Sequence, residues 1–286
     1  MNSRKALVIG GMNIDILGTP TAAFHPGDSL PGRVGLSVGG VGYNIAARLA
    51  GFGMRVTLFT AIGEDFFACI AEKACEEKGI DISLSLRVPA PSPIYMAIHG
   101  QDGAMTAAIN DMAAIAKLAP DHLEAHRHAL SGPFDVCVID ANLPEETLSA
   151  IPRLVKAPIL ADPVSCEKGR RLLPVLSYLT AIKPNAMEAL ALSGREDIPA
   201  AARFFVAQGV KQVYVSMGKD GLYCADAKEE VQLPSLISTT APSTGAGDAL
   251  AAGLALGIAA GKSTADTARM GLEAAADYLK TIALER

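Results

Sequence analysis

Residues 135–184 read DVCVIDANLPEETLSAIPRLVKAPILADPVSCEKGRRLLPVLSYLTAIKP. Five segments alternate within them. The runs 135–140, 158–162 and 179–184 are apolar and of strand length, while 144–155 and 168–176 carry apolar residues at helical spacing. Strands buried on both faces and joined by short helices build a parallel sheet through right-handed crossovers. The stretch therefore predicts an α/β fold with a mostly parallel central sheet flanked by helices. In such a sheet ligands sit beyond the carboxyl ends of the strands. Asp140, Asp162 and Asn185 all fall at that edge.

Toward the amino terminus, residues 7–11 read as another buried strand. Alternation over 12–18 then sets Asn13 and Asp15 on one face at the carboxyl end of a strand, which suits ligand contact or, alternatively, a turn with Asx chemistry. Residues 19–37 are rich in Gly, Pro and Ser, with a weak strand at 33–38. Val38-Gly39-Gly40-Val41-Gly42-Tyr43-Asn44 leads into a helix over 45–53, and glycines ahead of a helix let a ligand approach the backbone. A strand at 55–62 and a helix at 64–78 follow. Residues 94–98 and 105–109, joined through Gly100-Gln101-Asp102-Gly103, form a β-hairpin that Asn110-Asp111-Met112 closes. With the weak strand this makes a small antiparallel sheet. We expect a single domain over 1–286 with a lid formed by about 13–37 and 81–112.

Toward the carboxyl terminus, Asn185-Ala186-Met187-Glu188 opens a helix with an amide and a carboxylate one turn apart. The pair fits a capping box or, alternatively, a hydrated Mg²⁺ held through water. A strand at 212–217, the turn Gly218-Lys219-Asp220-Gly221 and a strand at 230–233 predict an antiparallel edge. Then Ser243-Thr244-Gly245-Ala246-Gly247-Asp248-Ala249-Leu250 turns into a long apolar helix. Unpaired amides and the helix dipole make such a start an anion site. Asp248 in its first turn suits a phosphoryl-transfer base, or a cap that offsets the dipole.

Composition narrows the function classes. The 286 residues are 50% apolar and 19% charged with a net charge of −5, and no basic block suggests a nucleic-acid partner. The apolar tract 250–260 is short and broken by glycines, so no membrane span is expected. The apolar run at 6–11 is too short for a signal peptide and reads as a strand. Cysteines 69, 75, 137, 166 and 224 form no C-x-x-C pair, as expected of reduced thiols in a cytoplasmic protein. A dinucleotide fingerprint fails: counting from Gly40 or Gly245, the third glycine is replaced by Ile45 or Leu250. Residues 257–263 miss a P-loop by one residue and read as a helix stop and restart. His122 and His126 lie four apart, but nothing supplies further metal ligands, so a solvated helix surface is expected.

Five blocks share one order: Gly10-Gly11-Met12-Asn13-Ile14-Asp15, Gly39-Gly40-Val41-Gly42-Tyr43-Asn44-Ile45-Ala46, Lys183-Pro184-Asn185-Ala186-Met187-Glu188, Gly218-Lys219-Asp220-Gly221 and Thr244-Gly245-Ala246-Gly247-Asp248-Ala249. With that order and spacing the chain resembles, over nearly its full length, the ribokinase-like (phosphofructokinase-B type) family of sugar and nucleoside kinases. Asn110-Asp111-Met112 and Asp162-Pro163-Val164-Ser165 look most like the family's pseudouridine-phosphorylating members.

The resemblance implies a ribokinase-like three-layer fold with a β lid and ATP-dependent phosphorylation of a 5′-hydroxyl, that of pseudouridine. It implies Asp248 as the base, with the amides of Gly245, Ala246 and Gly247 as an anion hole. Asn185 and Glu188 would organise Mg²⁺ through water together with the nucleotide phosphates, and Gly218, Gly221 and Thr244 would adjoin the nucleotide. Asn13, Asp15, Gly40 and Asn44 would hold sugar hydroxyls; Asn110 and Asp111 would read the base. Partners would then be a small nucleoside or sugar and ATP, with a monovalent cation such as K⁺ and a homodimer through the lid also in keeping. Leu250 departs from the Phe common in the family, and Val164 from the polar residue that sugar kinases often carry. The rival readings are a kinase of another nucleoside or free sugar and a non-catalytic sugar- or nucleotide-binding sensor on the same fold.

Overall fold

The computed structural model describes residues 3–25, 27–101, 104–237 and 245–284. Its first half runs β1 (Lys5–Ile9), β2 (Asn13–Pro20), β3 (Gly32–Gly39), α1 (Val41–Gly51), β4 (Arg55–Phe59), β5 (Ala61–Ile62), α2 (Phe66–Glu77), β6 (Ile80–Asp81), β7 (Leu86–Arg87), β8 (Ile94–His99) and β9 (Met105–Asp111). It continues through α3 (Pro120–Ala125), α4 (Arg127–Leu130), β10 (Val136–Asp140), α5 (Glu145–Leu154), β11 (Ile159–Asp162), β12 (Ala181–Ile182), α6 (Ala186–Ser193), α7 (Ile198–Ala207), β13 (Gln212–Ser216), β14 (Leu222–Asp226), β15 (Glu230–Leu233), α8 (Ala246–Ala259) and α9 (Thr264–Leu284).

The main sheet has the order β15-β14-β13-β12-β11-β10-β1-β4-β6. It is parallel from β13 to β6, and β14 and β15 form the expected antiparallel edge. Period-2 alternation divides its side chains between two cores. Leu7, Ile9, Cys137 and Ile139 pack with Leu148, Ile151 and Phe205 on one face. Ala6, Val8, Val136 and Val138 pack with Ile45, Leu49, Ala251 and Ala255 on the other. The fold is the expected α/β architecture, with helices on both faces.

Several boundaries differ from expectation, each for a local reason. The expected helix at 168–176 is a run of 3-10 turns over Lys168–Tyr178. Pro174 within it has no N–H to offer an α-helical ladder. The strand expected at 179–184 shrinks to Ala181–Ile182, because the chain turns away at Lys183-Pro184. The strand expected at 55–62 divides into β4 and β5, which pair with β6 and β7 respectively. Helix α1 begins at Val41, so Asn44 lies inside it. Residues 257–259 end α8 and 260–263 form the turn before α9, where Ser263 Oγ donates to Asp266 Oδ2 at 2.9 Å.

A second sheet has the order β3-β2-β8-β9. It is mixed, not purely antiparallel: β2 pairs with β8 in parallel, since the chain returns between them through α1 and α2 instead of a hairpin. Asn13 and Asp15 therefore open a strand of this sheet and do not end one of the main sheet. Register gives its faces opposite character. The row Ser37–Asp15–Tyr95–Asn110 is polar, and the row one residue along, Leu36–Ile16–Met96–Ile109, is apolar.

His122 and His126 are absorbed by local structure. His122 Nδ1 accepts from the Ala119 amide at 3.3 Å, and the His126 ring meets Phe59 edge-on. Among the described residues, no group of three or more His, Cys, Asp or Glu side chains is placed to hold a metal, and no helix is long and apolar enough to cross a membrane. The five cysteines are free thiols.

Candidate active site

The sheet reverses its winding at β1, which lies between β10 and β4, and the crevice beyond its carboxyl end is the expected ligand position. The chain leaves β1 through Gly10-Gly11, and the Gly11 amide donates to Asp140 Oδ2 at 2.8 Å. Helix α1 starts against this turn, with the Tyr43 amide donating to Gly11 O at 3.1 Å. Gly40, its cap, has φ +96°, and a Cβ there would lie 2.6 Å from Gly11 O and 2.9 Å from Asn13 Oδ1. Only glycine lets α1 enter so close to Asn13. Beside it Asn13 Nδ2 donates to Asp15 Oδ1 at 2.6 Å.

Helix α1 brings Asn44 to Asp248 in the first turn of α8, where Asn44 Nδ2 donates to Asp248 Oδ2 at 2.8 Å. Burial, then the nearby charge of Asp162, push the Asp248 carboxyl up to about 6; the Asn44 bond and the charges of Lys183 and Arg48 work the other way. An acid in that range accepts a proton near neutral pH and releases it again. The first amides of a helix have no partner within it. Here they belong to Ala246, Gly247 and Asp248, beside a positive dipole end.

Lys183 joins this group although sequence reasoning gave it no role. Its Nζ lies 3.0 Å from Asp162 Oδ2, with both residues buried. Burial opposes the ammonium, but the Asp162 carboxylate, with those of Asp248 and Glu188 nearby, holds the Lys183 pKa above its usual value. The same Nζ would be 3.5 Å from a Cβ on Gly247, so the buried cation sits under the helix start. Asp162 is aimed by a strained turn. Val164 has φ +64°, which is costly for a β-branched residue, and the Ser165 amide bonds back to Pro163 O at 2.6 Å. The Val164 amide donates to Asp162 Oδ1 at 2.8 Å, leaving Oδ2 toward Lys183. A lysine in Lys-Pro-Asn, directly after a buried strand and at the ligand edge, is the signal that could have revealed this pair.

Asn185 and Glu188 form the capping box: the Asn185 amide donates to Glu188 Oε2 and the Glu188 amide to Asn185 Oδ1, each at 2.9 Å. With its oxygen engaged, Asn185 presents its NH₂, a donor suited to a phosphate oxygen and not to a cation. Glu188 keeps a second carboxylate oxygen able to accept from metal-bound water. The residues thus fit Mg²⁺ through Glu188 and water.

Between this box and α8 opens a cavity of about 440 Å³. Asn185, Gly218 and Gly221 line it on one side and Leu250, Leu272 and Leu279 on another, a polar wall and an apolar slot that suit a nucleotide. Gly245, the cap of α8, has φ +85°, and a Cβ there would lie 2.6 Å from Tyr278 Oη. The Arg48 guanidinium stacks 3.7 Å above the Tyr278 ring, tying α1 to α9 behind the turn. Thr244 lies outside the described residues.

Structure thus brings together Asp248, Asn44, Gly40, Asn13 and Asp15 on one side and Asn185, Glu188, Gly218, Gly221, Ala246 and Gly247 on the other. Asn110 shares the Asp15 face of the second sheet. Asp111 does not: it stands in the row of Ile14 and Ile94 on the opposite face, and its Oδ1 accepts from the Ala113 amide at 3.1 Å.

Residues 3–280 match the model of the pfkB family of carbohydrate kinases. The pseudouridine kinase of Escherichia coli (strain K12) is 35% identical over 257 residues, 87% of this chain and 82% of that protein. A carbohydrate kinase from Agrobacterium tumefaciens superposes with a TM-score of 0.84 at 31% identity, covering 96% of this chain and 90% of its own. Ribokinase from Thermotoga maritima does so with a TM-score of 0.85 at 25% identity, covering 94% and 91%. With the ligand edge, the Asp248 helix start and the five blocks in order, the chain belongs to the pfkB family of carbohydrate kinases, phosphotransferases that act on hydroxyl groups.

Proposed function

We propose that this kinase transfers a phosphoryl group from ATP to the 5′-hydroxyl of pseudouridine. The observation that carries the reading is the position of Asp248, bonded to Asn44 on the Asn13–Asp15 side and seated at the helix start that faces the cavity. Likeness to pseudouridine kinase of Escherichia coli supports the choice of acceptor.

Asn13, Asp15, Gly40 and Asn44 hold the sugar, with the 5′-hydroxyl toward Asp248. Asp248 accepts the hydroxyl proton as that oxygen takes the phosphoryl group. The amides of Gly245, Ala246 and Gly247, with Lys183 beneath, offset the charge on the transferred group. The Asn185 side-chain NH₂ and the Gly218–Gly221 turn hold the nucleotide, while Mg²⁺ bound through Glu188 and water would add positive charge at the donor phosphates. The second sheet acts as a lid that keeps water from the phosphoryl group. Two copies meet through its apolar face.

The test is ADP release from purified protein with Mg-ATP and pseudouridine, uridine, cytidine, adenosine or ribose. Turnover with pseudouridine well above the others supports the reading. Preference for another acceptor replaces the substrate and keeps the kinase. Absence of turnover with all of them, matched by Asp248→Asn, favours the sensor.

A further inference from the structure

We infer that Arg48 is a positioning residue for phosphoryl transfer: its guanidinium braces the turn that opens α8 through the Tyr278 ring and keeps a fixed positive charge beside Asp248. The inference rests on the kinase reading, whichever acceptor it takes, and extends it to a group behind the reacting atoms.

Geometry is the first argument. Arg48 follows Asn44 by four residues on α1, so the two side chains share a helix face. On that face Asn44 reaches Asp248 Oδ2 at 2.8 Å. Arg48 Cζ stands 3.7 Å from the centre of the Tyr278 ring. Tyr278 in turn fills the space that a side chain on Gly245 would need: a Cβ there would lie 2.6 Å from its Oη, 3.0 Å from Cζ and 3.1 Å from Cε1. Guanidinium, ring and glycine therefore form one stack from α1 through α9 to the cap of α8. The amides of Ala246 and Gly247 follow that cap directly, so whatever shifts the ring shifts the donors.

Burial is the second argument. The Arg48 Nε–H is shut off from solvent and, among the described residues, meets no hydrogen-bond acceptor. None of their carboxylates lies within ion-pair distance of the guanidinium either. A cation in the last turn of α1 offsets that helix's dipole, but it can do so from solvent. An unpaired donor buried on a charged group costs stability, and a fold keeps such groups where function needs them.

The third argument is the balance of charge. Four groups face the Asp248 carboxyl: Asp162 from the end of β11, Asn44 and Arg48 from α1, and Lys183 from the turn after β12. Lys183 is already matched by Asp162 at 3.0 Å. Arg48 is then the cation of this group whose charge is left for Asp248. When Asp248 takes the hydroxyl proton it becomes neutral, and the Arg48 charge adds to the positive end of α8 as negative charge grows on the transferred group.

The experiment compares Arg48→Met, which keeps an aliphatic stem without the charge, with Arg48→Lys, which keeps the charge without the planar stack. Both are assayed with Mg-ATP and whichever of the acceptors named above is turned over. Arg48→Met is expected to lower kcat by about 10- to 100-fold, with both KM values within about threefold. It should also move the acid limb of the kcat profile upward, because losing a cation raises the Asp248 pKa. Arg48→Lys should return the limb to its place and recover only part of kcat. A kcat for Arg48→Met within about twofold of the unaltered enzyme, or a fall with an unmoved limb that Arg48→Lys does not relieve, would overturn the inference. If no acceptor is phosphorylated the kinase reading fails separately, and stability still decides. Attraction between Arg48 and the ionised Asp248 is absent near pH 4 and grows as pH rises through about 6. Arg48→Met should therefore lower Tm more at about pH 8 than at about pH 4, and by equal amounts at both once Asp248→Asn is also present. A loss independent of pH, or one whose pH dependence survives Asp248→Asn, rejects the pairing.

Discussion

Asn44 and Asp248, 204 residues apart, meet through a 2.8 Å hydrogen bond that ties the start of α1 to the start of α8. The bond gives the carboxylate one bound oxygen and leaves the other for a substrate. It also favours the charged form, against the burial that pushes the Asp248 pKa up to about 6. Asn44→Ala should therefore lower kcat/KM by about 10- to 100-fold and move the acid limb of its pH profile upward. A limb that stays in place or moves downward would show that the bond does not set the base.

Asp248→Asn tests the base directly. Turnover should fall by about 10² to 10⁴, the usual contribution of a general base, with nucleotide affinity within about twofold. Stability should move the opposite way. Because the folded-state pKa is raised from 3.8 to about 6, the neutral acid is favoured in the fold. That contribution is present below about pH 4 and is lost as pH rises through 6. The amide cannot ionise, so the stability advantage of Asp248→Asn should be small near pH 4, grow as pH rises toward 6 and level off above it, at on the order of 3 kcal/mol. Equal Tm curves across that range would reject the assigned burial cost.

How much of this was legible depended on how local each signal is. The parallel sheet could be read from 135–184 because each strand–helix–strand unit carries its own alternation. Asp248 was found because its glycine turn and helix start are contiguous. Its partners Asn44, Lys183 and Asp162 were harder, since they meet only once the crossovers bring their strand ends to one edge. Asn185 and Glu188 were read both as a capping box and as a metal pair, and the hydrogen bonds give the box without removing the second carboxylate oxygen. The mixed pairing of the second sheet escaped sequence reasoning because no turn links β2 to β8. Adjacent Asn110 and Asp111 were treated alike until register put them on opposite faces.

The Lys183–Asp162 pair should behave as a buried ion pair. Lys183→Met alone leaves a buried carboxylate without its cation and should cost about 3–5 kcal/mol in urea unfolding. Adding Asp162→Asn should return much of that stability. Activity should not return with it, since Lys183 lies beneath the amides of the Asp248 helix. A double variant with restored stability and restored turnover would reduce the pair to a structural role.

The apolar face of the second sheet gives the last prediction. Paired residues Leu36, Ile16, Met96 and Ile109 form one continuous row across four strands. Leu36 is 48%, Met96 46% and Ile109 74% exposed, unusual for adjacent large apolar side chains. A flat apolar face can cover itself by meeting an identical face across a two-fold axis, since each residue then finds its own counterpart. The polar Asp15–Tyr95–Asn110 face would remain turned toward the substrate. Sedimentation equilibrium should give a dimer for the unaltered protein and a monomer for Ile109→Lys, placed at the most exposed point of the row. The charge should not harm the fold of a side chain already in solvent, so Tm measured at low concentration should stay within a few degrees. A monomeric unaltered protein, or a dimer that survives both Ile109→Lys and Leu36→Lys, would reject this face as the contact.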